Sequence, residues 1–387
     1  MKIAVVGGCG RVGLPLSVVL ANAGHQVVAI DIDLQRVAQI SEGRTPFRED
    51  GLDELLRAAI ASGRLEISWD LFSLVGAEVV FVVVGTDLDE NSYPQNKSVI
   101  AAIEQLSPLV SSDTIVVLRS TVIAGTTHLV TQLLSQHTKR VAYCPERIAE
   151  GKAVDELGSI PQIIGCEGTS DTFDVLRNLF ATIGIESLLA TPREAELGKL
   201  ILNTWRYSQF AIANEFYLLC KEHEVNYEQI RHLISHKYPR ATGLVGSGLA
   251  GGPCLEKDTK QLLYGLKNES RLFGEVLRTH SGMVDHIIAS LQHEYDLGQM
   301  VVALLGITFK PSSDDLRGSP ALVLAKRLHP LVKELIVVDP YVGVTSPFAV
   351  VELLEAHARC DIAVIGTSHP EFKNFDFAKP VFDVFAT

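Results

Sequence analysis

The run Gly8-Cys9-Gly10-Arg11-Val12-Gly13 constrains this chain more than any other stretch. It follows Lys2 to Val6, whose unbroken apolar character is that of a buried parallel strand. It precedes an apolar helical pattern, Leu14 to Ala23, which Gly24 stops, and then a second strand, His25 to Ile30, that closes on Asp31. Strand, G-x-G-x-x-G turn, helix, strand and terminal acid, in that order, specify a βαβ unit of a doubly wound sheet that binds a dinucleotide. The glycines permit a tight turn and close backbone approach to a pyrophosphate, and the helix N-terminus supplies N–H donors and the positive end of its dipole. Gly8, Gly10, Arg11, Val12 and Gly13 are therefore the expected cofactor-binding residues. Asp31 would accept hydrogen bonds from ribose hydroxyls and repel a 2′-phosphate, which favours NAD over NADP. The bland alternative is a doubly wound domain that binds another nucleotide, or none.

The alternation of strand and helix continues. Glu78 to Val84 reads as a strand ending at Gly85-Thr86, Thr114 to Leu118 as one ending at Arg119-Ser120-Thr121, and Arg140 to Tyr143 as one running into Cys144-Pro145-Glu146-Arg147. Ligands of open parallel sheets sit beyond the carboxyl ends of the strands. Thr86, Thr121 and Glu146 occupy such ends, and so do Gly85 and Ser120. Taken singly, Thr86, Thr121 and Glu146 are each better explained as a helix cap or turn residue, but three polar strand ends facing one crevice point to a ligand.

From Arg193 to about Glu222 the period changes to that of a helix, with Leu197, Leu200, Ile201, Trp205, Phe210, Ile212, Phe216 and Leu219 at helical spacing. A helix of about 30 residues is about 45 Å long. Lys199 and Asn203 stand four apart, so they project from one face. More helix is expected over Tyr227 to Ser235 and from Asp258 to about His293. After Leu297-Gly298 the βα rhythm resumes, with strands Met300 to Leu305, Glu334 to Val338 and Asp361 to Ile365 and a helix Ser319 to Leu328. The expected fold is α/β: two doubly wound Rossmann-like domains joined by a helical domain with a long central helix. The expected boundaries are 1–192, 193–296 and 297–387, a division that suits 387 residues.

A net charge of −12 without a basic block argues against nucleic acid, so an anionic ligand would be held locally by backbone N–H groups and a few Lys or Arg. The six cysteines contain no C-x-x-C pair, which points to reduced thiols in a cytoplasmic setting and to no metal site. No apolar run reaches membrane-spanning length, and a chain opening directly on a strand is expected to carry no signal peptide.

One cysteine stands apart. In Gly251-Gly252-Pro253-Cys254-Leu255-Glu256-Lys257-Asp258 a thiol follows a glycine pair and precedes a lysine and an aspartate within about a turn. A thiolate is a strong nucleophile, and a neighbouring cation favours it. The plain alternative is a small buried hydrophobe at a helix start.

Taken in order, these pieces resemble the UDP-glucose/GDP-mannose dehydrogenase family, the nucleotide-sugar 6-dehydrogenases. They are Gly8-x-Gly10-x-x-Gly13 with Leu14-Pro15-Leu16, Gly85-Thr86, Ser120-Thr121-Val122 with Gly125-Thr126-Thr127, and Pro145-Glu146-Arg147. Then come Glu196-x-x-Lys199-x-x-x-Asn203, Asn214-Glu215, Gly251-Gly252-x-Cys254-x-x-Lys257-Asp258, Gly306-x-x-Phe309-Lys310 and Asp315-Leu316-Arg317-x-Ser319-Pro320. The resemblance implies an NAD domain, a helical middle and a C-terminal UDP-binding domain. It implies two NAD-dependent oxidations of C6 of a UDP-hexose to the uronate, a step of polysaccharide biosynthesis. Cys254 would form a thiohemiacetal and then a thioester, Lys199 and Asn203 would stabilise the oxyanion, and Asp258 with Thr121 would position or activate the water, Glu146 assisting. Arg147, Gly251, Lys257, Phe309, Lys310 and Arg317 would meet the nucleotide sugar, and Arg240 would reach a neighbouring subunit's substrate in a homodimer or higher oligomer.

The family pattern also has departures here. Asp87 follows Gly85-Thr86 where proline is usual, and Gly318 replaces a usual acid. Pro145-Glu146-Arg147 with Gly151, and Tyr238-Pro239-Arg240, resemble the branch acting on UDP-N-acetylhexosamines, UDP-ManNAc or UDP-GlcNAc, and the expectation leans there. Lys257 resembles the UDP-glucose and GDP-mannose branches, and a UDP-glucose 6-dehydrogenase is the alternative. A non-catalytic nucleotide-sugar-binding homologue is a further one. A lysine-centred single oxidation, as in 2-hydroxyacid or phosphogluconate-type dehydrogenases, would need no cysteine.

Overall fold

A computed structural model of the chain describes residues 1–86, 88–89, 94–167, 171–267, 269–343, 346–373 and 375–383. Asp87, a departure noted above, lies outside them. The chain divides into two compact units, Met1–Ile201 with Lys260–Gly265 and Leu202–Thr259 with Leu266–Thr387.

The first unit is built on eight strands: β1 (Lys2–Val6), β2 (Gln26–Ile30), β3 (Leu65–Ser68), β4 (Val79–Val82), β5 (Ile115–Leu118), β6 (Val141–Tyr143), β7 (Gln162–Cys166) and β8 (Ser187–Ala190). Their order is β3-β2-β1-β4-β5-β6-β7-β8. All pairs are parallel except β6 with β7. Strands such as β4 and β5 are apolar on both faces because helices cover both sides, and every residue of each is buried. β1 pairs with β2 on one side and β4 on the other, with Ile3 in register with both Val27 and Val79. The strand order therefore reverses at β1, and the crevice beyond the ends of β1 and β4 is where such a sheet takes a ligand. The helix Gly13–Asn22 follows β1 at that point.

The second unit contains β9 (Val301–Leu305), β10 (Glu334–Val338), β11 (Ile362–Ile365) and β12 (Val381–Phe382), all parallel, in the order β10-β9-β11-β12. It also holds the helices Tyr227–Ser235 and Arg271–Glu294. Tyr217, Met283, Ile287 and Leu291 of the helical section share one core with Val302, Leu304, Leu324 and Leu328 of the sheet section. The long helix is Pro192–Glu222, 31 residues.

The single helix expected from Asp258 to about His293 is instead two, Leu255–Gly265 and Arg271–Glu294. Gly265 closes the first, and Ser270 opens the second by accepting a hydrogen bond from Phe273 N–H. A side-chain cap competes with continuation of a helix, and the apolar period alone did not register it. Among the described residues no helix is long and apolar enough to cross a membrane.

Candidate active site

The dinucleotide turn is packed so tightly that Gly8 and Gly13 are required. A Cβ on Gly13 would lie 2.2 Å from Gly7 O, and one on Gly8 2.6 Å from Val5 O. Gly10 differs. A Cβ there would meet only Gly7 O at 3.5 Å, so the fold itself does not exclude a side chain. What a side chain would fill is the approach in front of the helix N-terminus, the place a pyrophosphate needs. Gly7 and Gly8 both donate to Ile30 O, which ties the turn to the end of β2. Asp31, one residue on, accepts from Cys9 N–H at 3.1 Å and from Asp33 N–H at 3.1 Å. These residues fit an NAD pyrophosphate and ribose. Arg11 pairs with Glu150 at 3.0 Å and lies over the Phe47 ring. Val12 precedes the helix without a side-chain cap.

The other strand ends are fixed by hydroxyls. Thr86 Oγ1 donates to Thr121 O at 2.6 Å, and Ser120 Oγ donates to Val84 O at 2.7 Å. Beyond β6, Glu146 is buried with both oxygens engaged. Its Oε1 accepts from Arg147 N–H and Ile148 N–H, and its Oε2 pairs with Arg119 Nη2. Arg119 is fully buried and also donates to Gln162 Oε1 at 2.8 Å. Arg147 donates to Pro161 O, and burial holds its guanidinium pKa below the usual range. Glu49 accepts from Gly151 N–H at 2.8 Å and Ala153 N–H at 2.6 Å, which shapes the segment after Arg147.

On the long helix, Lys199 and Asn203 are both buried, one turn apart. Lys199 makes no hydrogen bond or ion pair among the described residues. Three residues before it, Glu196 is fully buried and accepts from Gly125 N–H, Thr127 N–H and Thr127 Oγ1.

In the second unit, Cys254 immediately precedes the helix Leu255–Gly265, and its carbonyl accepts from Asp258 N–H at 2.8 Å. The thiol thus stands at the positive end of an 11-residue helix, a field that favours negative charge. The six cysteines, all among the described residues, form no disulfide, and only Cys254 is exposed. Burial pushes the Cys9 and Cys144 thiols up to about 12, so neither is a nucleophile near neutrality. Asp258 is fully buried; its Oδ2 accepts from Asn203 Nδ2 at 2.5 Å, and its Oδ1 lies 2.9 Å from Lys257 Nζ.

The loop before Cys254 is clasped from two sides. Asn214 Oδ1 accepts from Gly248 N–H at 2.8 Å while its Nδ2 donates to Gly248 O at 3.0 Å. Gly252 has φ +102°, donates to Gly318 O at 2.8 Å, and carries its Cα so near Phe309 that a Cβ would lie 2.4 Å from the ring. Gly318, at φ +61°, could hold no Cβ either, since one would fall 2.7 Å from Gly252 O. Gly251 faces Pro320 in the same way. The departure at Gly318 thus has a steric reason: it lets backbone meet backbone beside the cysteine loop.

Lys310 Nζ lies 5.5 Å from the centroid of the Phe309 ring, and Arg317 is held by a bidentate pair with buried Asp315. Arg240, in a short 3-10 turn, lies over the Tyr238 ring. Within the first unit the structure brings Thr86 against Thr121. Within the second it joins Asn203 to Asp258 and Gly252 to Phe309. Sequence reasoning did not single out Arg119, although a charge closing an all-apolar strand is a residue that needs a buried partner. It also assigned no role to Glu196, nor to Asp339 and His369, which organise the turn after β9. Asp339 accepts from Ile307 N–H at 2.8 Å and from His369 Nε2, while His369 Nδ1 accepts from Ser312 N–H.

Known proteins match this arrangement from end to end. The NAD binding domain of the UDP-glucose/GDP-mannose dehydrogenase family matches residues 1–184, its central domain residues 193–279 and its UDP binding domain residues 303–385. The chain belongs to this family. It is an NAD-dependent oxidoreductase acting on a CH–OH group, and its substrate is a UDP-sugar. This dehydrogenase is 30% identical to a UDP-N-acetyl-D-mannosamine dehydrogenase of Pyrococcus horikoshii, over 97% of this chain and 91% of the relative. It is 28% identical to a UDP-glucose 6-dehydrogenase of Bacillus subtilis, over 95% and 86%. The solved structure of a UDP-glucose dehydrogenase from Pyrobaculum islandicum superposes with a TM-score of 0.91 at 27% identity, covering 99% of this chain and 94% of that one. The relatives act on different sugars, so family membership leaves the sugar open.

Proposed function

We propose that this dehydrogenase oxidises C6 of a UDP-hexose twice, from alcohol to carboxylate, through a covalent intermediate on Cys254, and that the sugar is a UDP-N-acetylhexosamine, UDP-ManNAc or UDP-GlcNAc. The observation that carries the mechanism is the exposed Cys254 thiol at the start of a helix whose first turn presents Asp258, hydrogen-bonded to Asn203.

NAD, held by Gly8, Gly10, Gly13 and Asp31 with Thr86 and Ser120 shaping the strand ends, supplies the oxidising chemistry of both stages. Cys254 Sγ adds to the C6 aldehyde to give a thiohemiacetal, whose oxyanion Lys199 and Asn203 stabilise. After the second oxidation Cys254 carries the acyl group as a thioester. Water then attacks C6, its proton passes to Asp258, the C–S bond breaks and the thiolate leaves. Thr121 orients the water. Glu146, with both oxygens engaged by Arg119 and by backbone N–H groups, orders the loop that carries Arg147. Gly251 and Lys257 approach the sugar and phosphates, and Phe309, Lys310 and Arg317 the uridine end. The three sections 1–192, 193–296 and 297–387 divide this labour between cofactor, chemistry and nucleotide.

The lean toward an N-acetylhexosamine rests on Pro145-Glu146-Arg147 with Gly151 and on Tyr238-Pro239-Arg240. UDP-glucose is the second reading, supported by the lysine of Cys254-x-x-Lys257-Asp258. A homodimer or larger assembly, in the cytoplasm, completes the proposal. Leu197, Ile201, Trp205, Ile212, Phe216 and Leu219 leave an exposed apolar stripe on the long helix, and such a stripe is covered in an oligomer. NADH formation with UDP-ManNAc, UDP-GlcNAc, UDP-glucose, UDP-galactose and GDP-mannose tests the reading. About two NADH per sugar are expected for a four-electron oxidation, and one would remove the thioester stage.

A further inference from the structure

We propose that Glu196 is a positioning residue, which holds Lys199 in register with the loop that carries Thr121. The inference rests on the reading of Lys199 as the oxyanion donor. Glu196 is fully buried, and its carboxylate accepts three hydrogen bonds: from Gly125 N–H at 2.6 Å, Thr127 N–H at 2.7 Å and Thr127 Oγ1 at 2.6 Å. All three donors lie at the start of the eight-residue helix Thr126–Leu133, so the carboxylate sits at the positive end of that helix.

The segment from Ser120 to Gly125 is pinned along its length. Thr86 Oγ1 holds Thr121 O, Ser120 Oγ holds Val84 O, and Asn96 Nδ2 donates to Thr126 Oγ1 at 2.6 Å. Glu196 supplies the last pin, and it alone comes from the long helix. Lys199 follows three residues later, on a neighbouring position of the same helical surface. Because Lys199 makes no hydrogen bond or ion pair among the described residues, no side-chain partner there sets where its ammonium points. The register of its own helical turn does, and Glu196 sets that register against the Thr121 loop. Burial of a carboxylate is costly, and an apolar side chain would pack a helix against a loop without that cost. A directional, triply bonded carboxylate instead fixes rotation and translation of the turn together.

The test is a double-mutant cycle. Glu196→Gln keeps the shape but turns an NH2 donor toward a backbone N–H. It is expected to lower kcat about tenfold or more, in line with the rate lost on misplacing a catalytic group, with both KM values within about twofold. In a Lys199→Ala background the same substitution is expected to have no further effect on kcat. Thr127→Val removes one of the three donors and carries the same cycle if Glu196→Gln does not fold. An equal fold-loss with and without Lys199, or an unchanged kcat in Glu196→Gln, would overturn the positioning role alone. Undiminished kcat in Lys199→Ala itself would overturn the oxyanion reading and this proposal with it.

Discussion

Asn203 Nδ2 stands 2.5 Å from Asp258 Oδ2, a bond between the Asn203 turn of the long helix and the helical turn after Cys254, both within the second compact unit. The amide orients a fully buried carboxylate one turn beyond Cys254. Asp258→Asn is expected to lower kcat by about a hundred- to ten-thousandfold, the range of a lost general base. Mass spectrometry of the quenched variant should find an acyl adduct on Cys254; a variant of normal turnover would remove Asp258 from the hydrolysis step.

Cys254 is the one exposed thiol of six. Cys254→Ser is expected to abolish turnover while leaving NAD and UDP-sugar affinity within about threefold, because a hydroxyl occupies the same volume but is a far weaker nucleophile at neutral pH. Calorimetric titration beside a rate assay distinguishes this from a folding defect. Full activity would end the covalent mechanism.

Asp31 accepts Cys9 N–H and Asp33 N–H and closes β2. Asp31→Ala should weaken NAD and lower the NAD:NADP ratio of kcat/KM by about ten- to a hundredfold, since a ribose acceptor and a charge repelling the 2′-phosphate are lost together. An unchanged cofactor ratio would count against the ribose role.

Gly252 holds φ +102° with its Cα against Phe309. Gly252→Ala is expected to cost about 2 kcal/mol or more, from a disfavoured backbone and a forced shift of ring or loop. Urea unfolding measures the cost. The alkylation rate of Cys254 should change with it, as the loop two residues away moves.

His280 stacks on Tyr207 with ring centroids 3.7 Å apart and contacts Tyr207 O through Nε2. Burial holds its imidazole down, to about 4 from an ordinary 6.5. Between those values the unfolded chain binds more protons than the folded one, so the stability of keeping His280 neutral is complete above pH 6.5 and is lost as pH falls toward 4. By linkage the loss is about 2 kcal/mol at pH 5. His280→Phe should shrink the fall in unfolding free energy between pH 7 and pH 5 by about that amount; an unchanged fall would mean His280 titrates normally.

The strand and helix pattern was legible where the signals were local. β10 and the helix Tyr227–Ser235 lie where their periodicity places them, and the long helix within a residue of it. The break at Gly265 to Ser270 was not legible, because a cap outweighed a continuing apolar period. Nor was the antiparallel pairing of β7 with β6, which depends on which edge of the sheet is open rather than on the residues of β7.

By itself the sequence determined the chemistry on offer: a dinucleotide turn, an acid at the end of β2, a lysine and an asparagine one turn apart, and a cysteine four residues before an aspartate. Those are properties of spacing, and spacing along a helix or turn is local geometry. Only the tertiary structure decided which cysteine is exposed, that Glu196 binds the Thr127 turn, that Arg119 neutralises Glu146, and that Gly252 and Gly318 meet backbone to backbone. Burial and partner choice depend on residues far apart in the chain, and no local period encodes them.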